Sequence, residues 1–298
     1  MRQPVLSIVI ANYNFGRFLG AAIKSITSQC SSSVVCDDGR ARLMLEDELL
    51  ELIVVDGASV DKSVDVIKEN EEFLTWWVSE KDTGQSHAFN KGFAQAKGKY
   101  LTWLNADDIF IAGCLSFVIK ALVRHPTCPW FTANHLRFLD SDKSIIQVEW
   151  GPNWYPRMLQ HRNSPIVIFG PSSFFSKEIW ERVGKIDEDF HFAMDTDLWL
   201  RFMAAGYKQR RINCFCWAFR MHEASKTAEY EGHRYSEDGP TSKLKAERQI
   251  AVSKVGYKES RFIRLVSLSL RILDMSLIVR QIKRITLLGK SVEDVSAL

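Results

Sequence analysis

The feature that most constrains this chain is the alternation, through its first hundred residues, of near-continuous apolar runs with stretches of helical periodicity. Residues 5–11, VLSIVIA, form a β-branched run, and in the RFLGAAIKSITSQ that follows Leu19, Ala22, Ile23 and Ile26 recur at helical spacing. LIVVD at 52–56 precedes a helical pattern over about 62–70, and SHAFNKGFAQAK at 86–97 feeds the strand YLTWL. Strands apolar on both faces and separated by helices predict an α/β fold, a Rossmann-like, mostly parallel sheet covered by helices.

Open parallel sheets bind ligands beyond the carboxyl ends of their strands, so the residues just past each run are where function is expected. Those ends are polar and acidic: Asn12-Tyr13-Asn14, Asp56-Gly57-Ala58-Ser59, Asp82 after WWVSEK, and Asn105-Ala106-Asp107-Asp108. Two adjacent acids can direct carboxylate oxygens to a Mg²⁺ or Mn²⁺ ion that also holds a diphosphate. The competing use is a cap for a helix beginning near Ile111, but a cap needs one acid. Asp56 reads equally well as a ligand residue or a turn former, with Ser59 or Asp61 capping the next helix.

Further along, DTGQSHAFNKG supplies Asn90 and Lys91 as amide and ammonium donors, with His87 an ordinary half-exposed histidine. FHFAMDTDLWLRF sets Asp195 and Asp197 before an apolar helical run, one to cap the helix and one free for chemistry. FRMHEASKT adds Arg220, His222, Ser225 and Lys226, the basic cluster that a diphosphate beside a metal would need. EYEGHRYSEDGP at 229–240 reads as a mobile loop.

Charge excludes some partners. With 39 basic and 36 acidic residues spread along the chain, the formal charge is +3 and nothing demands nucleic acid. An apolar fraction of 46% is that of a folded chain with a buried core. The six cysteines lack zinc-type spacing and are expected as reduced core thiols. The start of the chain turns polar at Asn12, too early for a signal peptide, and no run approaches the roughly 18 apolar residues of a membrane span. A cytoplasmic protein is expected.

Taken in order, SIVIANYN, ELIVVDGASVDKS, DTGQSHAFNKG, LNADD, MDTDLWLRF and RMHEASKT resemble the family 2 glycosyltransferases of the GT-A fold, most closely bacterial members that build cell-surface polysaccharides and glycolipids. The resemblance covers about residues 5–227. It implies an inverting transfer of a sugar from a nucleotide diphosphate sugar to the hydroxyl of a glycan or lipid-linked acceptor, assisted by Mg²⁺ or Mn²⁺. Matched position by position, it implies that Asp56 contacts the nucleobase in a pocket lined by Asn12, Tyr13 and Asn14. Asp82, Asn90, Lys91 and Asp107 become donor-site residues, Asp108 and His222 the metal ligands, and Asp195 the general base. Two departures stand out: Asn105 replaces the leading acid of the family's DxD motif, and Met194 replaces the glutamate that precedes the base.

The expected organisation is a catalytic domain over 1–240, with a nucleotide-sugar half (1–110) and an acceptor-facing half (111–240), then a helical extension (241–298). Residues 30–50 look like an insertion on the side of the sheet opposite the ligands. The tail over 261–290 is basic with an apolar helical stripe that Arg264 and Arg271 interrupt, which leaves packing on the catalytic domain and peripheral membrane contact as alternatives. A nucleotidylyltransferase is disfavoured because its Gly-rich N-terminal loop is missing. A non-catalytic nucleotide-sugar-binding or scaffold protein on the same fold remains the alternative function.

Overall fold

The computed structural model describes residues 2–151, 170–225, 240–256 and 276–297. Most of the loop expected at 229–240, Lys226, and the first half of the basic tail lie outside them. The described chain builds an eleven-stranded mixed sheet carrying eight α-helices. Its strands are β1 (Leu6–Asn12), β2 (Ser32–Val35), β3 (Ala41–Leu45), β4 (Glu48–Asp56), β5 (Trp76–Ser79), β6 (Tyr100–Asn105), β7 (Ile109–Phe110), β8 (Trp130–Leu139), β9 (Ile145–Glu149), β10 (Ser173–Ser176) and β11 (Arg210–Met221).

The central strands β5, β4, β1 and β6 run parallel, as their two-sided apolar sequences predict. Their register is what builds a site. Asn12 lies opposite Asp56, Asp56 opposite Ser79, and Ala11 opposite Asn105, so four polar strand ends stand in one row. Beyond β6 the sheet continues through β10, β8 and β11 to β7, joining residues of both expected halves in one sheet.

The 30–50 segment is a β2–β3 hairpin whose second strand pairs with the first half of β4, while β5 takes the second half of that edge. It therefore sits at the amino ends, away from the polar row. Its turn into β4 is two residues long, with Glu46 and Asp47 both at positive φ, the conformation a type I′ hairpin requires. Buried Arg42 reaches Asp38 at 3.0 Å and Glu51 at 3.2 Å and ties the hairpin to the sheet.

The helices are α1 (Gly16–Thr27), α2 (Ser63–Glu69), α3 (Gln85–Gln95), α4 (Cys114–Arg124), α5 (Lys177–Val183), α6 (Met194–Ala204), α7 (Pro240–Lys254) and α8 (Ser276–Leu287). Helix α3 lies so close to β1 and β4 that a Cβ on Gly92 would collide with Val9, which explains a glycine in mid-helix. On the same face an aromatic core locks α6 in place. Trp199 stacks between Trp103 of β6 (5.5 Å) and Trp130 of β8 (5.4 Å), with Phe175 and Phe202 edge-on or tilted around it. All six cysteines are free thiols, but only Cys114, Cys214 and Cys216 are buried; the other three are half-buried, because they lie in or beside loops and the hairpin. No helix among the described residues is long and apolar enough to cross a membrane.

Candidate functional site

At the end of β4 the fully buried Asp56 accepts four hydrogen bonds: from Asn12 Nδ2 (2.6 Å) and Ser59 Oγ (2.5 Å) on one oxygen, and from Ser59 N (2.9 Å) and Ser79 Oγ (2.6 Å) on the other. Asp56 thus fixes the strand-end loop. Ser59, expected only as a helix cap, also accepts from Asn14 N at 2.8 Å, and Asn14 Oδ1 accepts from Val60 N. Asn14 itself is left-handed, with φ of 56°. Asp61 fulfils the capping role, receiving the first amides of both α1 (Gly16 N, 2.9 Å) and α2 (Ser63 N, 2.9 Å).

This bracing leaves Tyr13 61% exposed over the loop, an aromatic face in solvent. Gly57 lies between Tyr13 and Asp82: a Cβ there would come 2.8 Å from Asp82 Oδ2 and 3.2 Å from the Tyr13 ring. Asn12, Tyr13, Asn14, Asp56 and Asp82 therefore gather at one place.

Asn90 and Lys91 both have partners within the protein. Asn90 donates to Ile186 O (2.8 Å) and Glu188 Oε1 (2.9 Å) and accepts from Ile186 N (3.0 Å), and so braces α3 against the 186–188 turn. The reason is helical phase: Asn90 lies on the inner, buried side of α3. Lys91 is paired with Glu80 at 2.8 Å.

The two acids of LNADD divide. β7 and β11 pair antiparallel, Ile109 against Ala218, which brings residues 107–108 beside 220–222. Asp107 Oδ2 lies 3.1 Å from His222 Nε2, and the ring of His222 rests on Phe18, 4.5 Å between centroids. Asp108 is wholly buried behind them, accepting from Asn105 Nδ2 (2.8 Å) and Arg220 N (2.9 Å). Burial, then the adjacent Asp107 charge, push its carboxyl well above the usual carboxylate range. Asp108, expected as the direct metal ligand, is thus fully buried here, and of the two acids it is Asp107 that stands beside His222. Arg220 is likewise no free cation, because its guanidinium is buried between Asp107 O and Asp140 Oδ1, each at 2.7 Å.

A divalent ion suits the Asp107–His222 pair. Among the described residues no group of three or more His, Cys, Asp or Glu could hold a metal, so an ion here would take only Asp107 and His222 from them. Mg²⁺ and Mn²⁺ are commonly held this way, with phosphates and water completing the shell.

Gln85, which carries no sequence signal of its own, connects the regions: its Nε2 donates to Asn105 Oδ1 at 2.7 Å. The next residue, Ser86, contacts Phe190 O and Met194 Sδ. The first turn of α3 thus bridges the LNADD turn and the start of α6, where Asp195 stands. Burial pushes Asp195 above the ordinary aspartate value, with Thr196 N (2.6 Å) and the charge of Arg248 opposing the shift. Asp197 is fully buried and paired with Arg201 Nε at 2.8 Å, whose other nitrogens hold the carbonyls of Val183, Gly184 and Lys185. Asp197 is a clamp between α6 and the end of α5.

Two further residues were not legible in the sequence. Exposed Arg17, at the start of α1, points to His222 Nδ1 at 3.4 Å, a cation with no ion pair among the described residues, beside the candidate metal pair. Glu247 of α7 accepts His191 N (3.1 Å), Phe192 N (2.7 Å) and Ala193 N (2.8 Å), the amides just ahead of α6. It takes the place of the missing side-chain N-cap on that helix.

The family model described as "Glycosyl transferase family 2" matches residues 7–184, and that described as "Glycosyl transferase family group 2" matches residues 100–274. An uncharacterized glycosyltransferase of Nostoc sp. is 28% identical over 194 residues, which cover 61% of this chain and 54% of that protein. The chain thus spans about half the length of that relative. Among solved structures, S. aureus TarS 1–349 in complex with UDP-GlcNAc superposes with a TM-score of 0.52 at 14% identity, covering 83% of this chain and 72% of that one. The mannosyltransferase PcManGT from Pyrobaculum calidifontis, in complex with GDP-Man and Mn²⁺, gives 0.52 at 18% identity, covering 92% and 81%. These likenesses establish the fold as GT-A.

Proposed function

The chain belongs to glycosyl transferase family 2, and on that premise we propose that it is an inverting glycosyltransferase moving a sugar from a nucleotide diphosphate sugar to an acceptor hydroxyl, on the cytoplasmic side, in polysaccharide or glycolipid synthesis. The observation that carries this reading is that Gln85 at the start of α3 bonds to Asn105 of the turn bearing Asp107, which meets His222, while the next residue, Ser86, bonds to Met194 beside the half-buried Asp195, which supports a metal pair and a separate base near one sheet edge. The solved neighbours with UDP-GlcNAc and with GDP-Man support a nucleotide-sugar donor.

In this reading Tyr13 and the Asp56 loop seat the base and ribose, while Asp82 closes the far side of that pocket. Asp107 and His222 would hold Mg²⁺ or Mn²⁺, which would supply positive charge to offset that on the departing diphosphate. Arg17 adds a fixed cation toward the same phosphates. Asp195 takes the proton of the acceptor hydroxyl as that oxygen attacks the anomeric carbon from the side opposite the diphosphate, so one displacement inverts the centre. Residues 1–110 serve the donor, 111–240 face the acceptor but return His222 to the donor's diphosphate, and the extension from 241 onward supports the base through Glu247.

Calorimetry with UDP and GDP, with and without Mn²⁺, followed by slow hydrolysis of a panel of nucleotide sugars, tests this. Metal-assisted binding with hydrolysis of one donor is the expected result. Binding with no hydrolysis or transfer for any donor would turn the reading to a non-catalytic binding protein, and no nucleotide binding would remove the site.

A further inference from the structure

Helix α8 carries its apolar residues on the outside. Ile278, Val279, Ile282 and Ile285 are between 52% and 73% exposed, and Leu288 just beyond is 38% exposed. At 3.6 residues per turn Ile278, Ile282 and Ile285 form one stripe, and Val279 widens it. The arginines that break the stripe earlier in the tail have no counterpart on this face. The opposite side of the helix faces the protein, where Leu287 packs against the small core of Leu136, Phe138, Ile145 and Val148.

The helix is held in this orientation by the segment that follows it. Gly289 N donates to Ile145 O and Ile145 N to Lys290 O, each at 2.9 Å, and Val292 N donates to Lys143 O at 2.9 Å. Val292 and Val295 are buried in the same small core. These bonds anchor the carboxyl end of the helix, and its isoleucines face outward.

Charge identifies what covers them. From Ser276 to Lys290 there is no acid, and Arg280, Lys283, Arg284 and Lys290 are basic. Lys283 and Arg284 are exposed and lie on either side of the stripe. A second copy docked stripe to stripe would bring these cations together with no acid on either helix to offset them. Five partly exposed side chains also fall short of the roughly 800 Å² per partner that a stable pair buries. A bilayer with anionic headgroups satisfies both features, because the isoleucines enter the acyl boundary while the cations meet the phosphates.

We propose that α8 is an interfacial helix that seats this protein on an anionic membrane surface. The inference is independent of the transferase reading, and its test uses no activity. The full chain is sedimented with vesicles of phosphatidylcholine alone or mixed with phosphatidylglycerol, at low and high salt. Wild type should pellet with the anionic vesicles and less so as salt rises. Replacing Lys283 and Arg284 together by Gln should weaken binding roughly 25-fold, about fivefold for each cation. Ile278→Ser, Ile282→Ser and Ile285→Ser combined should abolish it with an unchanged melting temperature, since these side chains support no core. Equal recovery in the supernatant with both vesicle types overturns the proposal, as does a triple serine variant that pellets like wild type. A wild-type dimer that the triple variant splits into monomers would assign the stripe to a second copy instead.

Discussion

Asp107 and His222 stand 115 positions apart in sequence, yet their side chains meet at 3.1 Å because β7 and β11 pair antiparallel directly beside them. Asp108, one residue from Asp107, faces the interior and is held by Asn105 and Arg220. Asp107→Asn should therefore weaken Mn²⁺-dependent nucleotide binding by at least the roughly tenfold that loss of even an outer metal partner costs. Asp108→Asn sets an NH₂ against one of two existing donors and should cost about 1–3 kcal/mol of stability. Calorimetry and thermal melts on both variants check the division. A loss of metal response in Asp108→Asn with none in Asp107→Asn would restore the assignment made from sequence.

A second prediction concerns His135, wholly buried on β8 against Trp217, 5.1 Å between ring centroids. Burial, with the charge of Arg137 adding to it, pushes its pKa down from 6.5 to about 3. The folded state therefore binds fewer protons than the unfolded state below 6.5. This stability is present in full above that value and is lost as pH falls toward 3, by up to about 1.4 kcal/mol per pH unit. His135→Gln should flatten the fall in melting temperature between pH 6.5 and 5, above the range where ordinary carboxylates titrate. An unchanged slope in that window would move the acid sensitivity to other groups.

The parallel half of the fold was legible because strands apolar on both faces leave few other options, and the register that aligns Asn12, Asp56, Ser79 and Asn105 follows from them. Which of two neighbouring acids points outward was not, since that depends on β11, a strand a hundred residues away. Asn90 illustrates the same limit: its residue type suits a ligand, but the phase of α3 turns it to the 186–188 turn. Trp199, in sequence only one member of the apolar run after Asp197, proves to be the residue that α6 inserts between Trp103 and Trp130. Glu247 and Arg17 were invisible because each acts on backbone or side chains that only the fold brings near.

Glu247 yields a third prediction. Its carboxylate receives three amides ahead of Asp195, and Lys254, two turns on, pairs with Asp187 at 2.6 Å, so α7 fastens the segment leading to Asp195. Glu247→Ala should shift the start of α6 and lower kcat between roughly tenfold and 10²-fold, the range a displaced catalytic group incurs. Donor KM should hold, and Glu247→Gln, which keeps one acceptor oxygen, should recover part of the loss. A raised donor KM with unchanged kcat would place the effect in binding.

The sharpest separation is between Asp195 and Asp197, two positions apart on the first turn of α6. If Asp195 takes the acceptor proton, Asp195→Asn keeps the shape and the bond from Thr196 but removes the base, and turnover should fall roughly 10²–10⁴-fold with donor affinity nearly constant. Only the ionised form serves, so activity should rise with pH through its pKa. Because burial raises that pKa, the acid limb should lie above the ordinary aspartate value of 3.8. Asp197→Asn cannot fully replace the carboxylate that holds Arg201, and Arg201 in turn holds three carbonyls at the end of α5. Its cost should be about 1–3 kcal/mol of stability, with turnover per folded molecule close to wild type. Transfer rate, donor affinity and melting temperature, measured on both variants with the donor that the hydrolysis panel identifies, decide between them. Near-normal turnover in Asp195→Asn beside a collapse in folded Asp197→Asn would exchange the two roles, and full turnover in both would take α6 out of the mechanism.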